Sequence, residues 1–178
     1  MLAALYGDCR ASYSFAWSAN PQDYEGTSIG QVLRQIRESL GQLRGHRDFI
    51  KSPQVPPCDF YVPDPCFIVE FDESQHFSRP RLVTLSLYPP EFKAGFPVAR
   101  WQELCCLIDA RDDTPYDRDE RRAWYDTLRD LVPALHGFNP TVRLYADELQ
   151  WCALDSDSEE DQERFASVLK DRLPARAV

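Results

Sequence analysis

The stretch CDFYVPDPCFIVEFDESQHF, residues 58–77, constrains the fold of this chain more than any other segment. It contains two apolar runs, DFYV and CFIVEF, whose aromatic and β-branched residues are typical of β-strands. A proline-rich turn between the runs predicts that they pair as a hairpin. The second run ends in Glu70 and Asp72, and burying such carboxylates is costly unless a positive group meets them.

The register of this hairpin decides which carboxylates meet. Centring the turn between Asp64 and Pro65 places Asp59 directly opposite Glu70, and opposed side chains lie on one face about 5 Å apart. The two-residue period of a strand adds Asp72 to the same face. A turn one residue longer would shift this pairing. We therefore expect three like charges to converge, and a bound divalent cation would relieve their repulsion.

A structural role for the same residues is the alternative interpretation. Glu70 and Asp72 would then stand at an exposed strand end and pair with Arg79 or Arg81. Exposed ion pairs of this kind are common and contribute little to stability. His76 would in that case support the structure and take no part in function.

Hydrophobic periodicity predicts the remaining elements. Apolar residues at three- and four-residue spacing predict a helix that begins at Thr27 or Ser28 and ends at Gly45. Further helices are expected over 117–137 and 158–173, and strands over 81–88 and 140–151; residues 100–110 fit either type. Residues 1–26 remain unassigned. The order of elements predicts an α/β or α+β domain in which helices flank a central mixed sheet.

Composition limits the class of protein. A chain of 178 residues is expected to form a single domain. The net charge of −9 argues against a protein that coats nucleic acid, although it allows an enzyme with a local basic groove. Much of the acidity lies in DSDSEEDQE, residues 155–163. The six cysteines have no zinc-site spacing and are interpreted as free thiols.

The expected location is the cytoplasm. No apolar run is long enough for a membrane span, and the N-terminus lacks the pattern of a secretory signal.

Several short motifs together resemble the PD-(D/E)xK restriction-endonuclease-like superfamily. The likeness is greatest to the branch of very short patch repair endonucleases and their small bacterial relatives. That branch shows a DF strand, then an apolar strand ending in glutamate-x-aspartate, then a histidine that often follows a glutamine. The matching residues here are Asp59, Phe60, Glu70, Asp72, Gln75 and His76. Gln54, the helix around YDRDERRAW and Arg143 also resemble family positions, so the likeness covers residues 28–77 and 115–150.

The chain departs from the family pattern in four places. Glu73 stands where the family usually has glycine, and Asp72 replaces the lysine of the ExK form. Residues 78–114 look like an insertion into a core of about 27–150. A C-terminal acidic helix at about 156–173 follows this core. The helical glutamate that often completes the site could be Glu25 or Glu38.

The resemblance implies a restriction-endonuclease-like core and hydrolysis of phosphodiester bonds in DNA with Mg²⁺ or Mn²⁺. It implies that Asp59 and Glu70 bind the metal and that Asp72 binds or orients a second ion or its water. His76 would act as general acid or base, or contact phosphate, and Gln75 would position water or DNA. Three basic residues just beyond the site could contact the phosphate backbone, although solvated surface charge is the interpretation that the sequence favours for them: Arg79, Arg81 and Lys93.

The alternative is a catalytically degenerate module on the same fold. Such a module would bind a protein partner through its acidic surface in a repair, restriction or phage-defence complex. The sequence pI of about 4.8, the acidic tail and the missing glycine favour this alternative.

Overall fold

A four-stranded mixed sheet forms the centre of the computed structural model, which describes residues 1–173. Its strands, in spatial order, are β1 (Arg10–Tyr13), β2 (Cys58–Val62), β3 (Phe67–Asp72) and β4 (Val142–Tyr145). β2 runs antiparallel to both β1 and β3, whereas β4 runs parallel to β3. The expected class, an α+β fold with a mixed sheet flanked by helices, is confirmed.

Six helices surround the sheet within the described part of the chain. They are α1 (Leu2–Tyr6), α2 (Gly30–Leu43), α3 (Arg79–Leu85), α4 (Val98–Ile108), α5 (Arg118–Leu135) and α6 (Glu159–Lys170). Short 3-10 turns occupy Pro21–Tyr24, Ser74–His76 and Trp151–Ala153. Over residues 1–173, no helix has both the length and the apolar character that crossing a membrane requires.

The hairpin register predicted from the sequence is confirmed. Phe60 pairs with Val69 and Tyr61 pairs with Ile68, so Asp59 and Glu70 stand opposite each other at the open end. The centre of β3 is buried on both faces because helices cover both sides of the sheet. A strand in that position reads as a continuous apolar run, as this one does.

Helices α2 and α5 pack on one face of the sheet, and α1 and α6 on the other. Leu33 and Ile36 of α2 are fully buried with Trp124 of α5, as their helical spacing predicted. The predicted start of α2 is wrong by a few residues. Thr27 does not cap the helix, because its hydroxyl donates to the Tyr24 carbonyl in the preceding turn.

Helix α3 covers residues 81–85 of the segment RLVTLSLY, so the strand predicted there is wrong. Ser78 precedes α3 and its hydroxyl accepts a hydrogen bond from the Arg81 amide at 3.4 Å, as an N-cap does. Pro80 lies in the first turn, where the missing N–H costs nothing. The buried positions that follow, Arg81, Thr84 and Leu85, have helical spacing.

The ends of the chain complete the layers. Residues 1–26, which the sequence left unassigned, supply α1 and the edge strand β1. The predicted strand over 140–151 is confirmed only for Val142–Tyr145, because a turn and a 3-10 turn follow. The predicted terminal helix is present as α6, with Phe165 and Leu169 buried.

Candidate functional site

A polar cleft of about 370 Å³ lies between the β2–β3 hairpin and α5. The hairpin and the turn after it contribute Asp59, Glu70, Phe71, Glu73 and His76. Helix α5 contributes Arg118, Arg121, Arg122, Tyr125, Asp126 and Arg129. Acidic side chains on one wall therefore face a row of arginines on the other.

Asp59 and Glu70 reach the cleft from neighbouring strands. Asp59 is exposed, and its Oδ2 accepts a hydrogen bond of 2.7 Å from the Phe71 amide. Glu70 is only 3% exposed, and its Oε1 lies 3.4 Å from the Asp59 amide nitrogen. The two carboxylates that the sequence placed opposite each other thus line the same cleft.

The environment of Glu70 favours its protonated form. Burial raises the pKa of Glu70 to about 7, and the nearby Asp59 and Asp126 act in the same direction. Arg129 and Arg143 oppose the rise. Arg129 holds its Nε 3.5 Å from the Glu70 carboxylate without forming a hydrogen bond.

The arginines of α5 form one face of that helix. Arg118, Arg122 and Arg129 recur with Tyr125 at three- and four-residue spacing, which aligns side chains along a helix. Arg118 and Arg122 both reach Asp112, at 3.2 and 2.8 Å.

Arg121 stands apart from the other three arginines of the cleft. Within residues 1–173 its guanidinium has no hydrogen-bond or ion-pair partner, so it is the cleft arginine whose charge is least compensated.

Asp72 does not join Asp59 and Glu70 in the cleft. Its Oδ1 accepts from Arg143 Nη1 at 2.6 Å, and its Oδ2 accepts from Trp101 Nε1 at 2.6 Å. It is 1% exposed. The expectation that all three carboxylates share one pocket is therefore wrong for Asp72, because a buried arginine and an indole already neutralise and saturate it.

Asp72 belongs to a buried ionic network beneath the cleft. Arg143 also binds Asp130 at 2.7 Å, and Arg81 binds Asp130 at 2.7 Å. His76 connects this network to the cleft, since its Nδ1 lies 3.0 Å from Asp126 Oδ2. Arg129 also pairs with Asp126 at 3.2 Å, so the three aspartates face three arginines and the imidazole of His76.

The acidic neighbours of His76 favour its protonated form. Burial lowers the pKa of His76, but Asp126 and Asp72 outweigh it, so the pKa is raised. Burial would raise the pKa of Asp126, yet Arg143 and His76 hold it well below its usual value. The two groups therefore favour an imidazolium–carboxylate pair at the floor of the cleft.

Other residues singled out in the sequence lie away from the cleft. Gln75 does not line it; its side chain binds Glu73 and its carbonyl accepts from Arg122 at 3.0 Å. Glu25 pairs with Arg34 on the surface at 3.2 Å, and Glu38 is exposed on α2, so neither helical glutamate lines this cleft.

The three basic residues considered as phosphate contacts also lie outside the cleft. Arg81 is 1% exposed and bound to Asp130, which makes it structural. Arg79 and Lys93 are exposed.

The metal prediction has limited structural support. Across residues 1–173, no group of three or more His, Cys, Asp or Glu side chains is arranged to hold a metal ion. Asp59 and Glu70 alone suit a hard cation such as Mg²⁺, which binds one or two carboxylates and completes its shell with water and phosphate oxygens. A site made from these residues would therefore use two protein ligands.

Comparison with known proteins identifies no relative. No family model, no curated protein and no solved structure matches this chain.

The residues of α5 that line the cleft were not predicted from the sequence. Arg118, Arg122, Tyr125 and Arg129 could have been found from their helical spacing, once α5 was aligned over the hairpin. Trp101 gave no comparable signal, because it lies on α4 and its contact with Asp72 joins residues 29 positions apart.

The raised pKa of Glu70 predicts how stability depends on pH. The pKa of Glu70 in the folded protein, about 7, exceeds the ordinary value of 4.5. Burial of the ionised carboxylate therefore lowers the free energy of unfolding by its full amount above pH 7, and this loss disappears below pH 4.5. Glu70→Gln removes that cost. We expect the variant to be more stable than the wild type by about 3 kcal/mol at pH 8 and nearly equally stable at pH 4.5. Urea unfolding in EDTA at both pH values measures the difference, and a difference that does not change with pH would contradict the expectation.

Proposed function

We propose that this protein is a metal-dependent nuclease that hydrolyses phosphodiester bonds of DNA at the cleft between the hairpin and α5. The observation that carries the proposal is the meeting of Asp59 and Glu70 across a small cleft from the arginines of α5. Carboxylates bind the cation that activates water, and arginines bind the phosphate that is attacked. The resemblance of the hairpin motif to PD-(D/E)xK nucleases supports the same chemistry.

Asp59 and Glu70 are the residues that would hold Mg²⁺ or Mn²⁺. When bound, such an ion supplies a more acidic water and neutralises charge on the phosphate. Asp72 takes no part, since its oxygens are engaged by Arg143 and Trp101. The positive charge that the lysine of the ExK form would supply comes instead from the arginines of the cleft.

The helix α5 supplies the phosphate contacts in this proposal. Arg121 carries a charge that no described side chain compensates, and Arg118, which lines the cleft, has a side chain 48% exposed. A guanidinium binds phosphate oxygens through paired hydrogen bonds, which fixes orientation as well as position. His76, held by Asp126 in its protonated form, is placed to donate a proton to a phosphate or leaving-group oxygen.

Cleavage assays test the proposal. Plasmid and single-stranded DNA are incubated with the protein and Mn²⁺ or Mg²⁺, with EDTA as the control. Cleavage by the wild type that EDTA abolishes supports the proposal. Equal background cleavage by the wild type and by Asp59→Ala and Glu70→Ala variants would reject it.

A catalytically degenerate interaction module is the second candidate. The saturation of Asp72 favours it, because one predicted acidic residue of the site serves only the buried network. The net charge of −9 suits a partner with a basic surface, within a repair, restriction or phage-defence complex. A module of this kind would bind neither Mn²⁺ nor Mg²⁺ through Asp59 and Glu70.

A further inference from the structure

A second cavity lies on the face of the sheet that points away from Glu70. Its floor is apolar and includes Ala11 of β1, Phe60 of β2, Val69 of β3 and Leu144 of β4. Ala11 pairs with Phe60, and Phe60 pairs with Val69, so these three side chains share one face of the sheet. Side chains alternate along β3, which places Glu70 on the other face.

The walls of this cavity are apolar as well. Leu2 and Ala3 of α1 form one side, and Trp151, Leu154 and Phe165 form the other. The cavity has a volume of about 390 Å³, and both Ala3 and Ala11 are exposed, so it opens to solvent. A large apolar side chain from outside can therefore enter between α1 and the start of α6.

The rim of the cavity at the start of α6 is acidic. Residues 155–163 contain six carboxylates and no basic residue. Leu154 of the cavity wall leads directly into Asp155, whose amide donates to Asp161 Oδ2 at 3.0 Å. Asp161 lies one helical turn before Phe165, which also lines the cavity. Carboxylates therefore stand beside the apolar opening.

The negative charge of this rim is not balanced within residues 1–173. No Lys, Arg or His there forms an ion pair with any of the six carboxylates. The N-terminus of α6 supplies the equivalent of only about half a positive charge. Such a rim repels fatty acids, anionic lipids and nucleic acids, and it attracts a cationic segment.

We propose that this cavity binds a segment of a partner protein in which Lys or Arg residues flank a large apolar side chain. The apolar side chain packs against Ala11 and Phe60, and the basic residues face the carboxylates of residues 155–163. A buried apolar anchor supplies most of the affinity of such a contact. The charges at its rim supply orientation and a faster association. The surface is independent of the nuclease proposal because it lies on the other face of the sheet from Glu70.

Selection from a displayed library of short random peptides tests the chemistry of the partner. Peptides enriched on the wild type should carry a large apolar residue with Lys or Arg on both sides. A labelled enriched peptide is then titrated with the protein by fluorescence anisotropy. Ala11→Trp should weaken its binding about tenfold or more, because the indole occupies the space of the apolar anchor. Ala3→Trp on α1 provides a second variant that fills the cavity from the opposite wall.

A charge variant tests the acidic rim separately. It replaces the exposed Glu159, Glu160 and Glu163 with glutamine. We expect this variant to bind the peptide at least about threefold more weakly at low salt, and the difference should shrink at high salt. The matched control makes the same change of net charge at three exposed glutamates that do not line the cavity: Glu38, Glu91 and Glu103. The control should bind as the wild type does.

Three outcomes would overturn the proposal. The first is that no peptide is enriched, or that the enriched peptides lack basic residues. The second is an affinity that neither Ala11→Trp nor Ala3→Trp changes, or equal losses in the charge variant and its control. The third is self-association of the wild type that Ala11→Trp abolishes in analytical ultracentrifugation, since a second copy of the chain would then be the occupant.

Discussion

Replacing Asp59 with asparagine lowers Mn²⁺-dependent cleavage at least about 100-fold in this account, since a bound metal contributes several kcal/mol to the transition state. The change removes the charge and keeps an oxygen that can accept the hydrogen bond from the Phe71 amide. Asp59 is exposed, so the fold should be unaffected. Initial rates on single-stranded DNA measure the loss, and circular dichroism verifies the fold.

Glu38→Gln is the matched control for this loss. Glu38 is an exposed carboxylate on α2, outside the cleft, although the family resemblance made it a candidate for the site. The control should cleave at the wild-type rate. If Glu38→Gln loses cleavage and Asp59→Asn keeps it, the position assigned to the active site is wrong.

Replacing Arg143 with methionine should cost about 3–5 kcal/mol of the free energy of unfolding. Arg143 is fully buried and binds Asp72 at 2.6 Å and Asp130 at 2.7 Å. Methionine fills much of the space but leaves those carboxylates without their common cation. Urea unfolding at pH 7 measures the loss.

The exposed pair of Arg100 and Glu103 on α4 provides the comparison for Arg143. Their side chains are 50% and 58% exposed at a separation of 2.6 Å. Arg100→Met should cost less than about 1 kcal/mol, because solvent screens such pairs. Equal losses in the two variants would show that the buried network contributes no more than a surface pair.

The hairpin was predictable because its information is local. The Pro-rich turn fixed the centre of the hairpin, and the two apolar runs fixed its strands, so the pairing of Phe60 with Val69 followed. Helices α2 and α5 were predictable for the same reason, since the spacing of their apolar residues repeats over several turns. The strand β1 was missed because its four residues carry no alternating pattern and only one is even partly buried.

The partners of Asp72 could not be predicted because they are distant in the sequence. The two-residue period of a strand correctly placed Asp72 on its face of the sheet. Nothing in the neighbouring sequence shows that Trp101 and Arg143 reach this carboxylate. The strand predicted over 81–88 was wrong for a related reason. Its β-branched and apolar residues suit a strand, yet the cap at Ser78 and the buried pair of Arg81 with Asp130 favour a helix.

The two functional interpretations differ in what they require of the same cleft. A nuclease needs Asp59 and Glu70 to hold a cation in spite of the arginines opposite them. An interaction module needs only the charged surface, and its carboxylates can remain protonated or paired, as Glu70 is near Arg129. Metal affinity therefore separates the interpretations more directly than any assay with a chosen nucleic acid.

Isothermal titration of Mn²⁺ into the metal-free protein is the most direct test. The account predicts one site in the wild type that is lost in both Asp59→Asn and Glu70→Gln. Glu73→Gln should retain it, because Glu73 lines the cleft but is not assigned as a ligand. Absence of Mn²⁺ binding by the wild type, or binding that survives both substitutions, would contradict a metal-dependent active site at this hairpin.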